Sequence, residues 1–229
     1  MIKYWRLYSS AEKEVGFVPQ IIGPVFKGLY NDKNQLWNTY LKPIDPTTII
    51  PKAHLQKKAK ITDLMSVGFA SGNLFVSEKL KQIIKPFNTD GIQFAETEII
   101  TKTGEYIKVN LMHPYETDYK FIDASNTEFC YTNSMGDMLL SRVYFNSGQE
   151  YYKAQIDNRT KISQIETMDY EPLIINKIAF KEEINIDILS VFGIKYGGVG
   201  FFVSQTLKDK ILEEKCTGVI FRELNERYP

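Results

Sequence analysis

The sequence predicts a single α+β domain, spanning residues 1–229, with a mostly antiparallel sheet and two repeated strand–helix–strand units. Three observations predict it: an internal repeat, short β-rich runs between its copies, and an ordinary globular composition. Hydrophobic residues make up 43% of the chain and charged residues 24%. A chain of this length and composition buries a sizeable core and needs no disulfide or metal to hold it together.

The internal repeat is the most informative pattern in the chain. Residues 75–96 match residues 202–223 without a gap, with nine identities in 22 positions. The match continues upstream after a three-residue insertion. Because a repeat of this length marks a recurring structural unit, we predict a first unit over 63–98 and a second over 187–225.

Each unit carries the signals of a strand, a capped helix and a second strand. Ser77 and Ser204 follow short apolar runs and are predicted helix N-caps. Gly91 and Gly218 follow the two helical segments, where a positive φ angle favours glycine. Apolar residues at helical spacing give the first helix one buried face, and the second helix has an equivalent pair.

The remaining segments read as β structure. Residues 1–58 are predicted to be irregular β structure, because prolines break them repeatedly. Residues 99–180 are predicted to be a β-rich middle of strands and hairpins. The apolar run 188–207 contains Lys195 near its centre and several glycines, so it is not predicted to span a membrane.

Charge and cysteine usage exclude several classes of protein. Lys plus Arg and Asp plus Glu each total 28, so no net field attracts nucleic acid or an anionic membrane. Cys130 and Cys216 lie far apart and fit no metal-site spacing, which predicts two free thiols in a reducing compartment. The N-terminus has no apolar signal core. We therefore expect a soluble cytoplasmic protein that binds neither nucleic acid nor membrane.

One segment brings potentially reactive side chains together. His113, Glu116 and Asp118 fall within six residues, which would suit an acid–base or metal site or, alternatively, a polar loop between two strands. The sequence has no nucleophile elbow, and a glycine-rich run at 197–200 is not followed by a helix as a phosphate loop requires. We assign no catalytic, cofactor-binding or metal-binding residue.

Aromatic residues supply the candidates for partner binding. Aromatics make up 13% of the chain, which fits either a β-rich core or a tyrosine-rich interface. Large aromatic side chains are enriched at the energetic centres of protein interfaces. Trp37, Tyr151 and Tyr152 are the candidates, although aromatics of a half-buried strand would give Tyr151 and Tyr152 the same pattern.

A set of short motifs, in order along residues 60–225, points to a family. They are Thr62-Asp63-Leu64, Val76-Ser77, Gly91-Ile92-Gln93-Phe94, Tyr106 with Val109-Asn110, Ile122-Asp123-Ala124-Ser125, Val203-Ser204-Gln205-Thr206-Leu207 and Thr217-Gly218-Val219-Ile220-Phe221. In this order they resemble the immunity proteins of bacterial polymorphic toxin systems. The resemblance implies a cytoplasmic α+β protein, encoded beside a toxin, that protects the producing cell without catalysis or a cofactor.

The main hypothesis is therefore a non-enzymatic protein that binds and neutralises a cognate toxin. Two alternatives remain open. One is a hydrolase-type enzyme that uses His113, Glu116 or Asp118. The other is a binding module associated with phage or host interaction.

Overall fold

The computed structural model describes residues 3–24, 35–36, 42–68, 72–164, 170–195 and 198–225. Over these residues the chain forms thirteen strands and three α-helices. In chain order the strands are β1 (Tyr4–Ser9), β2 (Ile21–Pro24), β3 (Ala53–Leu55), β4 (Leu64–Met65), β5 (Leu74–Val76), β6 (Ile92–Ile100), β7 (Tyr106–Pro114), β8 (Glu128–Thr132), β9 (Leu139–Val143), β10 (Leu173–Lys177), β11 (Ile188–Ile194), β12 (Gly198–Ser204) and β13 (Val219–Arg222). The helices are α1 (Glu78–Ile84), α2 (Gly148–Ile162) and α3 (Gln205–Glu213).

The strands form two sheets. A seven-stranded sheet has the order β13-β1-β12-β11-β10-β8-β9, and a six-stranded sheet has the order β2-β3-β6-β7-β5-β4. Among the described strand pairs, only β10 with β11 and β3 with β6 are parallel. The prediction of one α+β domain with mostly antiparallel strands is thus confirmed, but the strands form two sheets rather than one.

Both predicted N-caps are present. Ser77 Oγ accepts a hydrogen bond from the Leu80 amide at 3.1 Å, and Ser204 Oγ accepts one from the Leu207 amide at 3.2 Å. Each bond satisfies an amide of the first helical turn that has no partner within its own helix. The sequence therefore located the starts of α1 and α3 correctly.

The strands around α1 and α3 follow similar paths. In the first segment β4 and β5 are antiparallel, α1 follows, and β6 lies on the far side of β7. In the second, β11 and β12 are antiparallel, α3 follows, and β13 lies on the far side of β1. The strand in the middle is β7 in the first segment and β1 in the second. Each lies outside the predicted repeat unit and is antiparallel to its two neighbours.

Three apolar clusters stabilise this arrangement. The central cluster joins both sheets to α1 and α3 through Leu64, Val76, Leu80, Ile84, Met112, Ile188, Phe201, Val203, Leu207 and Ile211. A second cluster fills the space between the seven-stranded sheet and α2, and a third covers the other face of the six-stranded sheet. Burying each such side chain stabilises the fold by roughly 1.5–3 kcal/mol, so the central cluster ties the sheets together.

The N-terminal segment is more regular than predicted. Strand β1 lies inside the seven-stranded sheet, where Leu7 pairs with Phe201 of β12 on one side and Phe221 of β13 on the other. Residues 1–58 were predicted to be irregular β structure, and the described part of this segment contains the strands β1, β2 and β3. A strand with one exposed face shows alternating apolar and polar residues. Both faces of β1 are covered, so Tyr4, Trp5, Arg6 and Leu7 show no such alternation.

The predicted β-rich middle also contains a helix. Strands β7, β8, β9 and β10 fit the prediction for 99–180, but α2 occupies fifteen residues of it. Ser147 Oγ accepts the Glu150 amide at 3.1 Å, and Glu150 Oε2 accepts the Asn146 amide at 2.8 Å. The two bonds cap the start of the helix in a variant of the capping box, in which Glu150 accepts the amide of the residue before the N-cap. Residues Tyr119–Phe121, also predicted as strand, form a short 3-10 helix.

The apolar run that begins at Ile188 forms strands β11 and β12, which pair antiparallel to each other. Of the helices in the described parts of the chain, none has the length and apolar character needed to span a membrane.

Candidate partner-binding site

His113 is a buried structural side chain on β7. Its Nδ1 lies 2.7 Å from Asn73 Oδ1 and its Nε2 lies 2.9 Å from the Lys42 carbonyl oxygen. Burial lowers the pKa of His113, and the contact with the Lys42 carbonyl raises it by less. The imidazole thus joins β7 to two loops, and both of its nitrogens are occupied in doing so.

Asp118 is buried elsewhere, against the seven-stranded sheet. One of its carboxylate oxygens accepts the Ser190 amide at 2.8 Å, and the Asp118 amide donates to the Ser190 carbonyl at 2.9 Å. Burial raises the pKa of Asp118 to about 7, although the bond from Ser190 acts against this rise. A pKa near 7 suits an acid–base catalyst, but only 3% of this residue is exposed to solvent.

The third member of the segment, Glu116, forms an exposed ion pair with Lys120 at 3.9 Å. Among the described contacts, no hydrogen bond or ion pair joins His113, Glu116 and Asp118 to one another. The segment from His113 to Asp118 therefore does not bring its imidazole and carboxylates together, and the three side chains lie in different environments.

The cysteines are free thiols. Cys130 is buried and Cys216 is half-buried, and burial raises the pKa of both, that of Cys216 to about 11. Both sulfurs are therefore protonated and unreactive near neutral pH. Within the described ranges, no group of three or more His, Cys, Asp or Glu side chains is placed to hold a metal ion.

The aromatic candidates for partner binding lie mostly in the interior. Tyr151 of α2 is fully buried, and its hydroxyl is bonded to the Gly193 carbonyl at 3.3 Å and to Gln155 Nε2 at 3.0 Å. Tyr152 is half-buried and stacks on Tyr119 with ring centroids 4.7 Å apart. Trp37 lies outside the described residues. In this conformation Tyr151 has no surface to offer a partner.

A different segment exposes large apolar side chains. We call it the hairpin patch, and it consists of Met135, Met138, Leu139, Leu140 and Tyr144. Their exposed fractions run from 40% for Leu139 to 88% for Tyr144. Eleven large hydrophobic residues are exposed in the described parts of the chain, and five of them fall within these ten positions. Such a cluster marks an interaction surface, whereas single exposed apolar residues do not.

The patch is exposed because β9 is the last strand of the seven-stranded sheet and pairs only with β8. Four of its five residues are exposed, so both faces of the strand meet solvent. The pairing shifts between Tyr131 and Thr132, which lie opposite Ser141 and Leu139. Leu140 is thus the extra residue of a β-bulge, a feature that re-aims side chains on edge strands.

Charged side chains of both signs border the patch. Arg142 Nη2 lies 3.2 Å and Lys177 Nζ 3.8 Å from the same oxygen of Glu128, so two cations share one carboxylate. The other Glu128 oxygen accepts Asn176 Nδ2 at 2.8 Å. In the hairpin turn, Asp137 accepts a hydrogen bond from Asn133 at 2.6 Å.

A cleft of about 250 Å³ opens beside the patch, between α2 and the ends of β8, β10 and β11. Met135 lies on its rim, and Arg159 and Lys195 are among its walls. The described residues that line it include no Asp or Glu. Asn158 fixes one wall, because it accepts the Leu173 amide at 3.0 Å and donates to the Glu171 carbonyl at 3.0 Å. The cleft can therefore receive one side chain of a partner.

The sequence pointed to this region only in part. The run Met138-Leu139-Leu140 is apolar and its pattern fits either a helix or a strand, so it gives no reason to expect an exposed surface. The exposure depends on β9 lying at the end of the sheet, which only the long-range strand order determines.

No protein-family model matches the chain, and no curated protein sequence is significantly similar to it. A function for this chain is therefore argued from its own motifs and geometry.

Proposed function

We propose that this chain is a non-enzymatic immunity protein that binds a cognate bacterial toxin and neutralises it in the cell that produces both. The observation that carries the proposal is the hairpin patch beside a preformed cleft. The motifs along residues 60–225, with their resemblance to immunity proteins of polymorphic toxin systems, support the choice of a toxin as the partner.

The patch has the physical character of a binding surface. Leaving apolar area in water costs about 25 cal/mol per Å², and an edge strand with exposed apolar side chains promotes unwanted association. A partner that covers the patch removes both costs. A specific interface buries about 800 Å² on each protein and depends on a few large anchors, and Leu140 and Tyr144 are suited to that role.

Neutralisation would then be steric. The chain covers the toxin's active site, or a surface beside it, and excludes the substrate. Immunity complexes of this kind reach dissociation constants of order 10⁻¹³ M or below in the best cases. We place the protein in the cytoplasm, where its two thiols remain reduced.

We also propose that the scaffold contains a duplicated element. Two features support the duplication: the sheet order β6-β7-β5-β4 parallels β13-β1-β12-β11, and serine caps both helices. In addition, Ser77 Oγ donates to Asp63 at 2.6 Å, and Ser204 Oγ donates to Asp187 at 2.7 Å. Both units lie away from the hairpin patch in sequence, which fits a scaffold role.

Co-expression with the product of the adjacent open reading frame tests the proposal. We expect this chain to restore growth of cells that produce that toxin. Leu140→Asp, which places a charge in the patch, should abolish the rescue. Leu212→Asp is the matched control, because Leu212 is an equally apolar residue, 53% exposed, on α3. Failure of the unmodified chain to rescue growth or bind the toxin would reject the proposal.

A further inference from the structure

Resting on the duplicated element proposed above, we infer that strand β1 is the final strand of the second repeat unit, although it precedes both units in the chain. In the first unit the corresponding strand is β7, which follows β6 directly. Each complete unit is therefore two strands, a helix and two further strands. The last strand of the second unit is supplied by a segment from elsewhere in the chain and lies between β12 and β13.

The pairing of β1 with β12 reproduces the pairing of β7 with β5. Phe75 faces Leu111 in the first unit, and the residue that matches Phe75 in the repeat, Phe202, faces Arg6. The neighbouring pairs agree in the same way: Leu74 with Met112 and Val76 with Asn110, against Phe201 with Leu7 and Val203 with Trp5. A slip of one residue would turn every side chain of a strand to the opposite face, so an identical register is a specific match.

The pairing of β1 with β13 gives the same correspondence independently. Phe94 faces Met112, and its match in the repeat, Phe221, faces Leu7. Four successive pairs agree on this side, from Ile92 with Pro114 and Val219 with Ser9 to Ala95 with Leu111 and Arg222 with Arg6. Leu7 therefore corresponds to Met112 whichever neighbouring strand is used for the comparison.

The corresponding residues also lie in similar environments. Leu7 and Met112 both belong to the central cluster that joins the two sheets, and they are 4% and 0% exposed. Tyr4 corresponds to Val109, and both are buried. Lys3 corresponds to Lys108, which is the same residue type and is likewise exposed. Strand β1 therefore packs in the second unit as β7 packs in the first.

The start of β1 lies beside the end of β13, as a hairpin requires. Lys3 Nζ is 3.0 Å from Glu223 Oε1. In the first unit the matching ends of β6 and β7 are joined by the turn 101–105, in which the Gly104 amide donates to the Thr101 carbonyl at 3.0 Å. Because the strand register is the same in both units, a copy of this turn would connect β13 to β1 without altering either strand.

A rearranged chain tests the inference. It begins at Glu12, runs to residue 227, which corresponds to Ile100, continues through a copy of residues 101–105 and ends with residues 1–11. The new ends fall between Ala11 and Glu12, which are both exposed. We expect this chain to unfold cooperatively in urea, at about the same midpoint as the original order, because the same strands form the same pairs.

The substitution Leu7→Ala shows whether β1 has returned to its place between β12 and β13. In the original order it removes a buried side chain from the central cluster and should lower the urea midpoint by roughly 1 M. We expect the same fall in the rearranged chain. Lys3→Gln is the matched control, because it changes an exposed residue of the same segment and should leave the midpoint nearly unchanged in both orders.

Two results would overturn the inference. One is a rearranged chain that folds but is insensitive to Leu7→Ala, because β1 would then lie outside the sheet. The other is failure to fold both of this chain and of a second one, in which a flexible Gly/Ser linker of about ten residues joins residue 229 to residue 1.

These folding measurements need no toxin, so they separate the inference from the proposed function. Strand β9 lies at the opposite end of the seven-stranded sheet from β13, and the folded rearranged chain should therefore rescue growth as the original order does. Failure of both orders to rescue growth, with both chains folded and equally sensitive to Leu7→Ala, would reject the toxin-binding role and support the assignment of β1.

Discussion

Asp63 and Thr217 lie 154 positions apart in the chain and are joined by three hydrogen bonds, one of them from the Asp63 amide to the Thr217 hydroxyl at 3.2 Å. The Asp63 carboxylate accepts the Thr217 amide at 2.8 Å and its hydroxyl at 3.1 Å. A reciprocal contact joins Asp187 to the Asn88 amide at 3.1 Å. Asp63 therefore supports the N-cap of α1 through Ser77 and also binds the loop after α3. Asp187 supports the N-cap of α3 through Ser204 and binds the loop after α1, so these contacts join the two helices.

Replacement of Asp63 by alanine should therefore lower the free energy of unfolding by about 2 kcal/mol. Hydrogen bonds to a charged group contribute about 1.5–3 kcal/mol, and the Thr217 amide would lose its partner. Urea unfolding followed by tryptophan fluorescence measures the change. Asp90→Ala is the control, because Asp90 is an exposed carboxylate near the same helix. Equal stability of the two variants would contradict the role of Asp63.

The same carboxylate should make the protein sensitive to acid. Burial raises the pKa of Asp63, but hydrogen bonds from Ser77 and Thr217 and the charge of Lys79 outweigh it and lower the pKa overall. Its stabilising contribution is present above its unfolded pKa of about 4 and is lost as the pH falls below that value. The free energy of unfolding of Asp63→Asn should therefore fall less steeply than that of the wild type as the pH is lowered from about 5 to about 2.

Asp118 should have the opposite pH dependence. Its pKa is raised to about 7, so the folded state holds the proton more tightly than the unfolded chain. The free energy of unfolding therefore falls as the pH rises from about 4 to about 7 and is flat above that. Asp118→Asn keeps an acceptor for the Ser190 amide without this slope. Above pH 7 it should be more stable than wild type by on the order of 4 kcal/mol. Parallel pH profiles for the two proteins would show that the raised pKa is incorrect.

The buried Arg6 side chain should make the fold less stable than an apolar side chain at the same position would. It is 5% exposed, and its Nε and Nη2 atoms have no hydrogen-bond partner among the described residues. Its guanidinium carbon lies 4.6 Å from the Tyr8 ring, and burial lowers the pKa of Arg6. Arg6→Met should raise the free energy of unfolding by about 1–2 kcal/mol, because it removes a buried cation that has no counter-charge among the described residues. Calorimetric melting measures this, and a lower melting temperature for Arg6→Met would refute it.

Gly218 should tolerate no side chain. Its φ angle is +74°, and a Cβ atom there would overlap the Leu64 carbonyl oxygen and the Thr62 side chain. Gly136 has a φ angle of +75° but nothing within 4 Å of such a Cβ. Gly136→Ala should cost about 1 kcal/mol from the backbone alone. Gly218→Ala should cost several kcal/mol, roughly in the range of an overpacked core, and chemical denaturation of both variants compares them.

Local signals predicted the local structure well. The serines at 77 and 204 and the glycines at 91 and 218 act through contacts within a few residues, so their patterns could be read directly. Gly91 and Gly218 have the positive φ angles that were expected, +84° and +74°. The capping box of Ser147 and Glu150 was equally local and would have located α2.

Long-range structure was harder to predict. The position of β1 inside a sheet depends on strands about two hundred residues away in sequence, and no local pattern carries that information. The same holds for the exposure of β9 and the burial of Tyr151, which follow from strand order and from the packing of α2. The hairpin patch therefore could not be predicted from the sequence.

The pairing of strand β1 also affects how the chain folds while it is being synthesised. Tyr4 pairs with Ser204, and Ser9 pairs with Val219, so β1 is synthesised about two hundred residues before the strands that it pairs with. Until then its backbone groups have no partners, and contacts this distant in sequence form slowly. Any interruption of synthesis before β12 leaves the early part of the chain without the strands that enclose it, and such fragments are candidates for proteolysis rather than for partial activity.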